Sequence, residues 1–281
     1  MTHVSPSENG MILTSSQLDA YLARIGMDRP ASLDIKSLSR LHRGHLMAFT
    51  WEAVDAFMGW PCTIAPAAAF AKMVEGKRGG WCYEMNGLFG AALAALGFRV
   101  TRLCSGVDRE IMGDLVIGNH LALRVDLDRP YLADVGLGDA IVEPVPLAVG
   151  PISQRGFEFS IMPTTDGWLR FKNHARGMAH SFDFRPDYSD EAAMAATLGW
   201  LTQDPGSPFT NALALILHTA DGYVALKNDC LRSVTADSVS EQPITSADHL
   251  ADTFNTVFNI EVPEPGRVWE KIQAVGRDEA A

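Results

Sequence analysis

The 281-residue sequence predicts an α+β fold made of three successive sections. Up to residue 97 the apolar residues recur at helical spacing, whereas residues 98–187 contain short β-prone runs interrupted by Gly, Pro and Asp. Helical and β-prone segments alternate in residues 188–281. We therefore expect an N-terminal helical bundle over residues 1–97, a central antiparallel domain, barrel-like or sandwich-like, over residues 98–187, and a C-terminal α/β domain over residues 188–281.

The first two helices of the bundle are indicated by their ends. Ser16 and Asp19 resemble a capping box, and Gly26 ends the apolar pattern that follows them. A second helix is predicted to begin after Ser32.

The bundle continues with a short helix after Pro66, a loop and a longer helix. The sequence EGKRGG, residues 75–80, predicts a flexible loop. The next segment, CYEMNGLFGAALAALG, has a 3.6-residue apolar period and ends at Gly97. Cys82 is therefore predicted to lie on the apolar stripe of this helix, at its N-terminus.

Six candidate strands of the central section are FRVTRLC, NHLALRV, PYLADV, GFEFSIM, GWLRFKN and HSFDF. In the last section we expect a helix capped by Ser189, a turn at residues 204–208 and an apolar run. A hairpin turn at residues 221–222, a strand YVAL and a last helix near residues 246–258 complete the chain.

The composition predicts a globular protein with free thiols. Apolar residues make up 47% of the chain, and 23 Lys and Arg against 34 Asp and Glu give a net charge of −11. This charge disfavours nucleic acids and anionic membranes as partners. Four cysteines without a CxxC pair do not suggest a disulfide framework. Residues 1–10 lack the features of a secretory leader and no apolar run is long enough to cross a bilayer, which predicts a cytoplasmic protein.

Cys82 is the cysteine whose surroundings indicate chemistry. An RGG tripeptide, residues 78–80, precedes it, and a helix N-terminus adds unpaired N–H groups and a positive dipole end. A nearby cation and a helix N-terminus both stabilise a thiolate. The alternative is a packed core thiol, because free cysteine is among the most buried residue types. The other cysteines lack these surroundings and are expected to be packing residues: Cys62, Cys104 and Cys230.

A nucleophilic thiol needs a base, and the base needs a group that orients it. The alternating run that begins at His120, a turn at residues 126–130 and the returning run YLADV predict a β-hairpin. With Leu127 at the tip, His120 and Asp134 are directly opposite, with Cβ atoms about 5 Å apart. The carboxylate would then accept the Nδ1 proton and leave Nε2 facing the thiol. A one-residue slip would separate the pair, so spacing alone leaves open a core histidine and a turn aspartate.

Other polar residues in these segments have structural interpretations. His42 and His45 are three residues apart but have no acidic or thiol partner at ligand spacing. We expect them to be packing or surface histidines, and we expect no metal site. Glu84 is predicted to be a charge matched to the helix dipole, and Asn86 a hydrogen-bonding residue at the helix start.

Three motifs, in this order, resemble those of the arylamine N-acetyltransferase family. RGGWCYEMNGLF, residues 78–89, is similar to the family's RGGxCxExN signature and places Cys82 at the catalytic cysteine. NHLALRV matches the histidine strand at His120, and YLADVGLGD matches the DVGFG segment, with Asp134 as the third triad member. LHRGHLMAFTWEAVD and SPFTNALAL resemble two further family segments, so the resemblance covers most of the chain.

The resemblance implies a cysteine-protease-like core with the C-terminal α/β section as a lid over the cleft. It implies acetyl-CoA as co-substrate, with Gly136, Gly138, Asn119 and Thr210 on the cofactor side. Ordinary turn positions are the alternative for the two glycines. It further implies that an acetyl-cysteine on Cys82 passes its acetyl group to a small aromatic amine or hydrazine. The family pattern corresponds to a monomer or weak homodimer acting in xenobiotic metabolism.

The chain departs from the family at three places. Residues 50–53 are TWEA where members usually have Pro-Phe-Glu-Asn, Asn119 stands where many have Thr, and Leu137 replaces the Phe of DVGFG. The last two lie where the family holds acetyl-CoA and the amine, so acceptor preference and cofactor affinity are open. Two other functions share these residues. One is a cysteine hydrolase or transglutaminase-like acyl transferase with the same triad. The other is a binding protein with a dead site, against which all three intact triad residues argue.

Overall fold

The computed structural model describes residues 12–278. Its α-helices are α1 (Ser15–Arg24), α2 (Ile35–Ala48), α3 (Val54–Met58), α4 (Pro66–Phe70), α5 (Cys82–Leu96), α6 (Arg109–Met112), α7 (Glu191–Gln203), α8 (Pro208–Asn211), α9 (Ala247–Thr256) and α10 (Pro265–Asp278). A π-helical turn covers Ala71–Glu75 and a 3₁₀ turn covers Gly113–Val116. The expectation that residues 1–10 carry no leader lies outside the described residues.

The strands are β1 (Trp51–Glu52), β2 (Arg99–Val107), β3 (His120–Asp126), β4 (Pro130–Leu132), β5 (Val145–Pro146), β6 (Gly150–Gln154), β7 (Phe157–Pro163), β8 (Leu169–Lys172), β9 (Ser181–Phe184), β10 (Ala214–His218), β11 (Gly222–Lys227), β12 (Cys230–Thr235) and β13 (Val239–Pro243). No helix within residues 12–278 has both the length and the apolar character needed to cross a bilayer.

Two antiparallel sheets organise the strands. The central one is barrel-like, with eight strands in the order β5-β4-β3-β2-β9-β8-β7-β6, and it includes all six strands predicted for this section. The other has the order β1-β10-β11-β12-β13, so a short strand of the helical section joins the C-terminal sheet through the pair Trp51↔Ile216. The predicted α+β class is confirmed. The domain boundaries at 97/98 and 187/188 stay a prediction.

Helix α5 lies in the interior of the molecule. Every residue from Cys82 to Leu93 is buried, so the helix is surrounded by protein and does not have a single inward stripe. One side packs on β3, where a Cβ on Gly90 would be 3.3 Å from Leu123 Cδ2. Gly97 ends the helix in the left-handed conformation with φ of 101°, as predicted. The N-terminus of α5 lies at the start of β3, where the Tyr83 hydroxyl donates to the Gly118 carbonyl.

Several predicted helix caps are wrong by one or two residues. Helix α1 is capped by Thr14, whose hydroxyl accepts from Gln17 N while the Gln17 side-chain Oε1 accepts from Thr14 N. Ser16 and Asp19 lie inside the helix because this reciprocal pair forms two residues earlier. Helix α2 is capped by Asp34 and not Ser32, and α7 by Asp190 and not Ser189, each accepting from the N–H three residues later. The chemistry of the caps was predicted, but their positions were not.

Replacing Thr14 with alanine is expected to lower the free energy of unfolding by about 1 kcal/mol, because the Gln17 N–H loses its side-chain acceptor. Denaturant unfolding followed by circular dichroism measures the change. Ser16→Ala is the matched control, and its effect is expected to stay within about 0.5 kcal/mol. If Ser16→Ala lowered the free energy of unfolding more than Thr14→Ala does, Ser16 would be the capping residue.

The last section contains elements that the sequence pattern did not predict. Strand β13 is fully exposed and reads VSEQP, so it shows no apolar alternation, and backbone pairing with β12 defines it. Helix α9 was predicted but is not the last helix. Helix α10 follows it and buries Val268 and Ile272 in a second core cluster with Phe57 of α3 and Phe254 of α9.

Candidate active site

The ends of three elements bring Cys82, His120 and Asp134 together. Cys82 is the first residue of α5, His120 is the first residue of β3, and Asp134 follows the end of β4 by two residues. The three are 4%, 1% and 2% exposed. His120 Nε2 is 2.8 Å from Asp134 Oδ2, and Cys82 is among the groups that raise the pKa of the imidazole. The three side chains form a buried chain of thiol, imidazole and carboxylate.

The predicted hairpin register is wrong by two positions. Asp126 pairs with Pro130 and Arg124 with Leu132, so the tip of the turn is Asp128 and not Leu127. His120 and Asp134 are therefore diagonal neighbours and not directly opposite. A shift of two residues keeps side chains on the same face of a strand, because the side-chain period is two. This is why the two side chains still meet.

The orientation of the imidazole is the reverse of the prediction. Nε2 contacts the carboxylate, which leaves Nδ1 as the ring nitrogen available to the thiol. Cys82 Sγ also lies 3.7 Å from the carbonyl oxygen of Asn119, the residue before the histidine. Nδ1 is therefore the atom that can exchange a proton with sulfur.

The imidazole and the carboxylate stabilise each other's charges. Burial lowers the pKa of His120, but the charge and hydrogen bond of Asp134, together with Cys82, outweigh it and raise this pKa to about 10. Burial raises the pKa of Asp134, yet the His120 charge and hydrogen bonds from Asn86 and Gly136 leave it below its ordinary value. At neutral pH the pair is an imidazolium and a carboxylate.

Asn86 has a larger role than the sequence indicated. Its Nδ2 donates to Asp134 Oδ1 and to the Leu121 carbonyl, each at 2.6 Å, and its Oδ1 accepts from Val135 N at 3.0 Å. It therefore connects α5 to β3 and to the segment after β4. Its position four residues after Cys82, on the same helix face, is the signal that would have identified it.

Gly136 and Gly138 are required by the close approach of the backbone to this site. A Cβ on Gly136 would lie 2.3 Å from Asn86 Nδ2 and 2.9 Å from Cys82 Cα. Gly138 has φ of 84°, and a Cβ there would lie 2.7 Å from a methyl carbon of Ile216. Both glycines thus have a packing reason that needs no ligand.

Asn119 and Thr210 use their side chains locally. Asn119 Oδ1 accepts from Val107 N at 2.7 Å, and the Thr210 hydroxyl is 2.9 Å from the Asp204 carbonyl and 3.0 Å from that of Ser207. These bonds shape the residue before His120 and the α8 turn. Contact of either residue with acetyl-CoA stays a prediction.

Three aromatic side chains that the sequence pattern did not indicate pack together near the turn that bears Cys82. The Phe209 ring makes an edge contact with Trp81 at 5.2 Å between centroids, and its centroid is 6.2 Å from Trp51. Trp51 Nε1 donates to the Gly136 carbonyl at 2.8 Å. Trp81 directly precedes Cys82 in the chain and Gly136 approaches the Cys82 backbone, so the three rings cluster around the turn that bears Cys82, and we call them the aromatic wall.

Arg78 does not serve Cys82 as predicted. Its guanidinium binds Glu52 at 2.7 and 3.0 Å and Asp55 at 2.8 Å. The loop predicted to be flexible is hydrogen-bonded on both sides of Gly80, to the Thr50 carbonyl and the Glu52 amide. The cation bound at the first turn of α5 is Lys72, 2.8 Å from Glu84 Oε2.

Two of the other cysteines and two of the histidines are packing residues. Burial raises the pKa of Cys62 and of Cys104 to about 12, so both are protonated thiols. Burial also lowers the pKa of His42 to about 4, and its Nδ1 lies 3.0 Å from the Val142 carbonyl. His45 is buried, with its Nδ1 2.9 Å from the Tyr21 hydroxyl.

Known proteins resemble the chain over most of its length. Residues 34–267 match a family model described as N-acetyltransferase. The arylamine N-acetyltransferase of Mycolicibacterium smegmatis is 28% identical, over 87% of this chain and 92% of that protein. The pineal gland arylamine N-acetyltransferase isozyme of Gallus gallus is 32% identical, over 85% of this chain and 92% of that protein.

A solved structure supports the same relationship. The arylamine N-acetyltransferase of Mycobacterium marinum in complex with CoA has a TM-score of 0.82 at 27% identity, over 92% of this chain and 99% of that one. The family model, the relatives and the shared fold agree with the motifs around Cys82. The chain therefore belongs to the arylamine N-acetyltransferase family of acyltransferases.

Proposed function

We propose that the protein transfers the acetyl group of acetyl-CoA to aromatic amines or hydrazines through an acetyl-cysteine on Cys82. The observation that carries this is the buried chain of Cys82, His120 and Asp134 at the N-terminus of α5. Membership of the family supports the acyl transfer, and the CoA complex of the Mycobacterium marinum relative supports the co-substrate.

In the first half-reaction the Cys82 sulfur attacks the thioester carbonyl carbon as the thiolate partner of the His120 imidazolium, whose Nδ1 carries the proton. First-turn N–H groups of α5 have no acceptor within the helix and stabilise the oxyanion. The carbon–sulfur bond to CoA then breaks, and His120 returns the proton to the departing thiolate. CoA leaves as a thiol and the acetyl group stays on Cys82.

In the second half-reaction the amine nitrogen attacks the acetyl-cysteine carbonyl carbon. His120 Nδ1 accepts the amine proton as the carbon–sulfur bond breaks, which restores the imidazolium beside the Cys82 thiolate. Asp134 accepts a hydrogen bond from His120 Nε2 throughout the cycle. This bond holds the tautomer of the ring and stabilises the imidazolium. The products are the N-acetyl compound and the free enzyme.

The aromatic wall supports a flat acceptor. Phe209, the half-buried ring of the wall, is the one that can meet a flat arylamine or arylhydrazine, and Trp51 and Trp81 pack against it. We place acetyl-CoA on the side of Gly136, Gly138, Asn119 and Thr210, in keeping with the family resemblance.

We further infer that the three predicted sections meet at this site. Residues 1–97 supply the thiol, residues 98–187 supply His120 and Asp134, and residues 188–281 supply Phe209 on α8 as part of a lid.

Acetyl-CoA alone is expected to add one acetyl group to the protein at Cys82, and an arylhydrazine is expected to remove it. Intact-protein and peptide mass spectrometry measure both steps. Cys82→Ala should give no adduct, whereas Cys104→Ala, at another buried free cysteine, should give the wild-type adduct. No adduct in the wild type, or the same adduct in Cys82→Ala, would contradict the proposal. Continuous CoA release without an amine would indicate a hydrolase.

A further inference from the structure

A buried ionic cluster lies beneath the first turn of α5. It contains three carboxylates and two cations: Glu52, Asp55, Glu84, Lys72 and Arg78. Their side chains are at most 15% exposed. The cluster joins β1, α3, the π-helical turn and the loop before Cys82, so it spans the elements that surround the nucleophile.

Lys72 is the member that connects this cluster to α5. Its Nζ lies 2.7 Å from Asp55 Oδ2, 2.8 Å from Glu84 Oε2 and 3.5 Å from Glu52 Oε1. It lies in the π-helical turn, and its carbonyl accepts from Arg78 N at 3.1 Å. Irregular π-helical turns are frequent at functional sites.

Glu84 transmits this contact to the nucleophile. Its Oε2 accepts from Trp81 N, the N-cap amide directly before Cys82, at 3.2 Å. Arg78 is engaged by Glu52 and Asp55, so Lys72 is the ion-pair partner of Glu84 within residues 12–278. One lysine thus holds the carboxylate that caps the turn bearing Cys82.

The cluster has one more carboxylate than cations, and this makes Glu84 sensitive to the loss of Lys72. Burial raises the pKa of Glu84 to about 7, Lys72 lowers it, and Glu52 and Asp55 raise it. Cys62 also faces this group. Without Lys72 the carboxyl would be protonated at neutral pH, and a neutral carboxyl is a weaker acceptor for Trp81 N.

We propose that Lys72 is a positioning residue for the nucleophile, acting through Glu84 to hold the Trp81–Cys82 turn in the orientation that faces His120. This proposal rests on the proposed function for the measurement of kcat and KM, whereas the measurement of Cys82 alkylation is independent of it. It predicts that loss of Lys72 reduces the reactivity of Cys82 while leaving substrate binding unchanged.

Alkylation of Cys82 by iodoacetamide at pH 7, followed on the Cys82 peptide by mass spectrometry, tests this without acetyl-CoA or an amine. Lys72→Met is expected to slow alkylation about tenfold or more and to lower kcat with little change in KM. Lys72→Arg should recover most of both losses, because a cation is restored. Lys77→Met is the matched control, since Lys77 lies five residues after Lys72 and forms an exposed pair with Glu261, and it should behave as wild type.

A second comparison keeps the test decisive if Lys72→Met does not fold. Glu84→Gln keeps a carbonyl acceptor for Trp81 N and removes the charge that needs a cation. In the double variant Lys72→Met/Glu84→Gln, Cys82 is therefore expected to be alkylated at nearly the same rate as in Glu84→Gln. The effects of the two substitutions are then not additive, as expected for a coupled pair. Wild-type alkylation in folded Lys72→Met, or a tenfold difference between the double variant and Glu84→Gln, would overturn the proposal. Slowed alkylation in Lys72→Met without any acetyl adduct in the wild type would overturn the proposed function alone.

Discussion

Replacing Asp134 with asparagine is expected to lower the acetylation rate by about 10⁴-fold with the fold intact. Asp134 Oδ1 accepts from Asn86 Nδ2 and Gly136 N, so the amide oxygen of an asparagine would stay in that place. Its NH₂ group would then face His120 Nε2, which has to become an acceptor. The ring proton would move to Nδ1, where it blocks the transfer of a proton from the thiol or the amine.

The same substitution is expected to change the pH dependence of Cys82 alkylation. Burial lowers the pKa of His120, but Asp134 raises it to about 10, so the imidazolium persists through neutral pH and is lost as the pH rises through about 10. Without the carboxylate charge, burial dominates and His120 loses its proton at lower pH. We expect the inflection near pH 10 to move to lower pH in Asp134→Asn.

Initial acetylation rates and alkylation profiles from pH 5 to 11 measure these effects. Asp126→Asn is the matched control, because Asp126 lies on the same hairpin and pairs with Arg124 near the surface. It should keep wild-type activity. Turnover in Asp134→Asn within tenfold of the wild type would remove Asp134 from the mechanism.

Gly136→Ala is expected to inactivate the enzyme and to lower the free energy of unfolding by about 1–3 kcal/mol. The added methyl carbon would lie 2.3 Å from Asn86 Nδ2, 2.9 Å from Cys82 Cα and 3.0 Å from the Cys82 carbonyl oxygen. The helix backbone cannot yield, and Asn86 is held by Leu121 and Asp134. The segment carrying Asp134 must therefore move away from α5, which separates the carboxylate from His120.

Acetylation rates and denaturant unfolding test this together. The control is Gly276→Ala in α10, where an added Cβ meets no atom within 4 Å. It should keep full activity and be as stable as the wild type or slightly more stable, because alanine favours helix over glycine. Wild-type activity in Gly136→Ala would show that α5 and the segment that carries Asp134 are not in close contact.

The sequence predicted that Cys82, His120 and Asp134 lie together, because its signals there are local. Cys82 follows a glycine pair at a helix start, and His120 and Asp134 occupy the two arms of one hairpin. The predicted tip of the turn is Leu127, whereas the observed tip is Asp128. Moving the tip by one residue changes every cross-strand partner by two, so His120 and Asp134 still lie on the same face of the hairpin. Because side chains alternate along a strand with a period of two, an error of two positions in the register leaves this prediction valid. An error of one position would have put the two side chains on opposite faces.

The ring orientation and the electrostatic partners could not be predicted in this way. Which imidazole nitrogen faces sulfur depends on where Asn86 and Gly136 place the carboxylate. Arg78 is four residues from Cys82 in the chain, but Glu52 and Asp55 bind its charge, whereas Lys72, ten residues away, reaches the first turn of α5 through Glu84. Sequence proximity indicates which charges are available and does not indicate how they pair.

By itself, the sequence determined the fold class, the order of helical, β-rich and mixed sections, and the family, because periodicity, turn residues and motifs act over a few neighbouring positions. Only the tertiary structure decided the exchange of partners within the buried ionic cluster, the aromatic wall and the union of β1 with β10. Each of these joins residues far apart in the chain. Their pairing follows from the desolvation of charges and the packing of rings when the sections come together. Local sequence patterns do not indicate which distant residues will pair.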